Sequence, residues 1–122
     1  MTDVPAHDEL AERLMRAFEA NDTDAIAACF EPDGVLAQNA NPPAPITDAL
    51  PALATLHERI GWHKYVNVRR ATFSDGFVEE HDVETVLPDG SSLSIPAVCV
   101  VARVGPNGLV ADFHEYSDMS NR

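Results

Sequence analysis

Between His7 and Ala20 the apolar side chains Leu10, Leu14, Ala17 and Phe18 recur at i, i+4, i+7 and i+8, which puts them on one stripe of a helix. Glu9, Glu12, Arg13 and Arg16 lie largely off that stripe. Asn21 and Asp22 end this helix, and Thr23 can cap a second, short one over Asp24 to Phe30. Glu31-Pro32-Asp33-Gly34 reads as a turn, Val35 to Gln38 as a short strand, and Asn39 to Pro45, with three prolines, as irregular chain. A third helix is predicted from Thr47 or Asp48 to about Ile60, with Leu50, Leu53, Leu56 and Ile60 as its apolar members. Pro51 falls in or near its first turn, where most amide donors have no helical partner, and Gly61 stops it.

From Lys64 onward the pattern changes to that of strands. They are predicted over Tyr65–Phe73, Phe77–Leu87, Ser91–Val104 and Leu109–Asp118, separated by Ser74-Asp75-Gly76, Pro88-Asp89-Gly90 and Gly105-Pro106-Asn107-Gly108. Long strands joined by tight turns pair antiparallel. Pro96 inside the third of them implies a bend, a bulge or an edge position. Helices early in the chain and four antiparallel strands after them make an α+β domain. Strong curvature of such a sheet around the helices gives a cone with an open mouth.

The chain has 122 residues and 45% hydrophobic side chains, enough for one domain over residues 1–122 with a single core and room for an internal pocket. Its formal net charge is −12, with 20 acidic and 8 basic residues and Lys64 as the only lysine. A surface of that sign repels phosphate backbones and anionic lipid, so neither a nucleic acid nor a membrane is expected as partner. Cys29 and Cys99 each sit in an apolar run and read as buried free thiols. No spacing suggests a structural zinc, and no Gly-rich phosphate loop or nucleophile elbow is present, so neither metal nor cofactor is expected. The first ten residues lack the basic and apolar regions of a signal peptide, and no apolar run approaches about 18 residues, so a cytoplasmic protein is expected.

The element order and three stretches, RAFEANDTDAIAACFEPDGV, LPDGSSLSIPAVCVVARV and GLVADFHEYSDMS, resemble the nuclear transport factor 2-like (NTF2-like) superfamily, specifically its SnoaL-like branch. That branch includes ketosteroid isomerases, limonene-type epoxide hydrolases, polyketide cyclases and non-catalytic binding or dimerisation modules. The resemblance implies an α+β cone, a curved antiparallel sheet wrapped round N-terminal helices. Three positions matched to ketosteroid isomerase roles hold Leu14, Gln38 or Asn39, and Cys99 or Val100, so that chemistry is unfilled. Matched to the epoxide hydrolases, Asp82 and Glu115 stand at carboxylate positions and Gln38 or Asn39 at the asparagine, but Glu80 stands where an arginine belongs.

In the last strand Ala111, Phe113, Glu115 and Ser117 share one face, and Asp112, His114, Tyr116 and Asp118 share the other. The resemblance places the first set inside the cone, which makes Glu115 a carboxylate in a mostly apolar pocket, where desolvation raises its pKa towards the range of acid–base work. The strand from Phe77 offers two alternatives. Either His81 points inward, with Phe77, Glu79, Val83 and Thr85, or Asp82 does; a one-residue bulge reconciles them. Glu115, Asp82 and His81 are therefore the candidate catalytic residues. Leu14, Met15, Phe18 and Phe113 are expected to line the ligand site, with Gln38 and Asn39 beside it at the rim loop and Trp62 closing its mouth. The expected ligand is a small, largely apolar organic molecule, handled by cofactor-free isomerisation, cyclisation or hydration; the other reading is a non-catalytic ligand-binding or dimerisation module. The outward sheet face, with His114 and Tyr116, is expected to form a homodimer.

Overall fold

The computed structural model describes residues 4–60 and 62–118, with the side chains of residues 57, 59, 60 and 62 outside it. The elements are α1 (Pro5–Glu19), α2 (Thr23–Ala28), β1 (Phe30–Gln38), β2 (Ala44–Pro45), α3 (Ile46–Ile60), β3 (Trp62–Phe73), β4 (Gly76–Val86), β5 (Ser92–Val104) and β6 (Val110–Tyr116). The predicted stripe of α1 is its buried face: Leu10, Leu14, Ala17 and Phe18 are buried together with Ala11 and Met15. Asp22, not Thr23, caps α2; its carboxylate accepts from the Ala25 amide at 3.0 Å. The glycine expected to stop α3, Gly61, lies outside the described residues.

All six strands form one sheet in the order β2-β1-β6-β5-β4-β3. β3 to β6 are an antiparallel meander, as their tight turns require. β1 joins β6 in parallel, and the two-residue β2 pairs antiparallel with β1 at the edge, where Pro45 costs no interior ladder bond. α1 packs on β3 and β4, and α3 on β1 and β2, so the helices cover one face of the sheet. At the β4–β5 crossing, Gly76 is required by its neighbour: a Cβ there would lie 1.9 Å from the Ala102 carbonyl oxygen.

The expected Glu31-Pro32-Asp33-Gly34 turn lies instead inside β1, as a register shift between Phe30 and Val35 against β6. Buried Glu31 explains it. Its carboxylate accepts from the Asn107 amide (3.1 Å), Asn107 Nδ2 (2.7 Å) and the Leu109 amide (3.0 Å), so the bulged strand grips the β5–β6 turn. Among the described residues no helix is long and apolar enough to cross a membrane.

Candidate functional site

Two further bulges decide which side chains face the helices. β3 gains one residue between Val66 and Arg69 against β4, and β5 gains one between the partners of His81 and Val83. A one-residue slip moves side chains to the opposite face. On β3 the inward residues are Thr72 and Arg70 before the bulge, Tyr65 and His63 beyond it. On β5 they are Ala102, Val100 and Val98, then Ile95 and Leu93. Each bulge holds a residue in the left-handed region, Asn67 (φ 55°) and Ala97 (φ 57°). Asp82 lies on β4 opposite both. Its Oδ2 accepts from Asn67 Nδ2 and its Oδ1 from the Ala97 amide, each at 2.9 Å.

Asp82 is therefore a clamp on the outer face, and the structure does not bring it to the cavity. The bulges that the sequence left open lie on the neighbouring strands, while β4 keeps its alternation through Phe77, Glu79, His81, Val83 and Thr85. The Ala97 amide first, and Asn67 next, hold the Asp82 carboxyl below its ordinary pKa. A carboxyl lowered by folding stabilises above its unfolded pKa, and that contribution is lost as pH falls through the lowered value. Asp82→Ala is expected to melt earlier than the parent at neutral pH, with the gap closing in acid; thermal unfolding at the two pH values checks it, and a gap independent of pH would exclude the clamp.

The inward face is organised in rows across the strands. One row runs Arg70–Glu79–Val100–Glu115–Gln38, from β3 to β1. At its β3–β4 end, fully buried Glu79 accepts from Arg70 Nε (2.7 Å) and from His81 Nδ1 (2.6 Å). The outer nitrogens of Arg70 reach Asp8 (2.9 Å) and Glu12 (3.0 Å) on α1. The His81 ring stacks on Tyr65, 4.2 Å between centroids and 19° between planes. Its Nε2 is buried with no hydrogen-bond partner among the described residues.

At the other end of the row Glu115 lines a cavity of about 180 Å³. The walls are Phe18 of α1, Leu36 to Gln38 of β1, Leu53 and Leu56 of α3, His63 and Tyr65 of β3, Val83 and Thr85 of β4, Leu93, Ile95 and Val98 of β5, Phe113 beside Glu115 on β6, and Ser117 just after it. Gln38 Nε2 donates to Glu115 Oε2 at 2.7 Å. Burial raises the Glu115 pKa; the Gln38 bond and the nearby His81 oppose the rise without cancelling it. Burial first, then the charges of Glu115, Glu19 and Glu79, push the Tyr65 hydroxyl well above its ordinary value, so it stays a neutral donor. The cavity thus offers one carboxyl, with the His63 ring and the Tyr65 hydroxyl, in a largely apolar wall. Among the described residues no three His, Cys, Asp or Glu side chains converge to hold a metal ion.

Of the residues expected at the site, the structure brings Glu115, Gln38, Phe18 and Phe113 to the cavity wall. His81 faces inward but lies behind Tyr65 rather than on the wall. Leu14 and Met15 are core, turned away from the cavity by their place under the α1 stripe. Asn39 is a tether: its Oδ1 accepts from the Ser117 amide (2.9 Å) and its carbonyl faces His114 Nε2 (2.7 Å). The Trp62 side chain lies outside the described residues. Tyr65 and His63 line the wall without having been predicted there, and Ser117, expected inward with Glu115, lines it too.

Compared by sequence, the chain matches no family model and no curated protein. By structure it superposes on a candidate polyketide cyclase from Xanthomonas campestris with a TM-score of 0.82 at 16% identity, covering 94% of this chain and 92% of that one. An NTF2-like protein from Burkholderia pseudomallei matches with a TM-score of 0.77 at 15% identity, over 97% and 92% of the two chains. The fold is NTF2-like. An LEH-like epoxide hydrolase from M. tuberculosis shares it, with a TM-score of 0.74 at 16% identity over 93% and 84%, as do SnoaL-like proteins. In this NTF2-like cone, the cavity lies between the bulged sheet and the helices α1 and α3.

Proposed function

We propose that the protein binds a small, largely apolar organic molecule in the cone and performs cofactor-free acid–base chemistry on it, with Glu115 moving the proton. Isomerisation, cyclisation and hydration, including epoxide opening, are the reactions that one such group can serve. The observation that carries this reading is the burial-raised carboxyl of Glu115 on a cavity wall that is otherwise mostly apolar. Groups with displaced pKa values cluster at functional sites because catalysis needs a proton donor matched to the working pH.

A second reading, a ligand-binding module without turnover, is favoured by a different observation. Asp82 is outside the cavity and His81 is screened by Tyr65, which leaves Glu115 as the only carboxylate on the described wall. Titration of the Glu115 carboxyl carbon by NMR separates the two. The acid–base reading expects a midpoint clearly above the ordinary glutamate value of about 4.3; a midpoint at that value supports the binding module and removes the acid–base one.

A further inference from the structure

Ser117 directly follows β6, two positions beyond Glu115, and lines the same cavity. Its side-chain oxygen is buried and has no hydrogen-bond partner among the described residues, although the residue lines the cavity. The backbone there is not adrift, since the Ser117 amide donates to Asn39 Oδ1. A buried hydroxyl left unpaired is destabilising, and such groups in folded proteins are rare enough to need an explanation. Beside it, Gln38 Nε2 donates to Oε2 of Glu115. Both side chains line the one cavity, so a ligand held by Ser117 lies in the same chamber as Glu115. We propose that Ser117 is a ligand-binding residue, whose hydroxyl donates to the carbonyl oxygen of an uncharged single-ring molecule held in this cavity.

The class follows from three properties of the wall. The serine hydroxyl can donate, and a carbonyl oxygen has lone pairs to accept it. No arginine or lysine lines the cavity, and the chain carries a net charge of −12, so an anionic ligand would be buried unpaired next to Glu115. The volume of about 180 Å³ is slightly larger than an apolar cavity of about 150 Å³ that accepts benzene. One ring with a small substituent fills it, and Phe18, Phe113, Tyr65 and Ile95 supply apolar walls for that ring.

This inference rests on the ligand-binding part of the function proposed above, but not on turnover. The test is an amide-shift NMR titration of the full chain with four probes: acetophenone, ethylbenzene, 2-acetonaphthone and 1-phenylethylamine. Acetophenone is expected to bind about tenfold more tightly than ethylbenzene, the worth of one good hydrogen bond, and 2-acetonaphthone not to enter. Ser117→Ala should bring acetophenone down to the level of ethylbenzene, leave ethylbenzene unchanged and melt no earlier than the parent, since it deletes an unpaired hydroxyl. Equal affinity of Ser117→Ala and parent for acetophenone overturns the proposal, as does tighter binding of the amine or of the two-ring ketone, or binding by none of the four. If the Ser117 dependence holds while Glu115→Gln leaves turnover intact, the ligand assignment stands and the acid–base reading fails.

Discussion

Arg70→Met should lower the unfolding free energy by about 3–5 kcal/mol, the usual result of removing one member of a buried ion pair. The cost comes from what is left behind. Glu79 is fully buried, and Arg70 supplies its cationic partner at 2.7 Å; without it only His81 faces the carboxylate. The Asp8 and Glu12 contacts of Arg70 involve half-exposed carboxylates and contribute little beside this. Urea denaturation at neutral pH measures the loss. Adding Glu79→Gln to Arg70→Met should recover part of it, because the second change removes the stranded charge. A single-variant cost below about 1 kcal/mol, the range of surface pairs, would mean that water reaches Glu79.

Glu115→Gln should cut turnover of a substrate that the cavity accepts by about 10²–10⁴-fold, the usual contribution of a general acid or base. The substitution keeps shape and one hydrogen-bonding oxygen, so folding is unaffected. Its stability at neutral pH should equal or exceed that of the parent. Folding raises the Glu115 pKa, so the folded chain binds more protons than the unfolded one between the two values, and stability falls as pH rises through that window. Glutamine does not titrate, and the variant's stability curve should lack that fall. Urea midpoints across pH, with rates on the same preparations, check both statements; unchanged turnover would remove Glu115 from the chemistry.

Local patterns carried much of the architecture. The stripe of α1 and the turns bounding the meander needed only neighbours a few residues apart, and the structure places those elements within a few residues of expectation. Pairings between distant segments were not legible. β1 runs parallel to β6 and begins at Phe30 because Glu31 grips a turn more than seventy residues away. On β6 alternation is unbroken only from Asp112 to Tyr116, past the register shift beside Val110; it puts Phe113 and Glu115 on one face, the family resemblance set that face inward, and both line the cavity. The site was not readable on β3. Tyr65 and His63 have the opposite parity to Arg70 and Thr72, and strict alternation cannot seat both pairs inward. The signal that was there is that break itself, with Asn67, a residue tolerant of the left-handed region, standing in it. Asp82 misled for a related reason: a carboxylate in a strand of this kind has two uses, and holding the chain's irregularities was the one realised.

The bulges at Asn67 and Ala97 give chain length a chemical meaning here. Losing a single codon at Asn67 would turn Tyr65 and His63 out to water and bring Lys64 and Val66 in, with the Arg70 contacts to Glu79, Asp8 and Glu12 untouched. The same loss at Ala97 would exchange Ile95 and Leu93 for Ser94 and Ser92. Small insertions and deletions can thus replace four of the side chains that line the cavity without any substitution, and chains of this architecture can diverge in cavity shape faster than their substitutions alone would suggest.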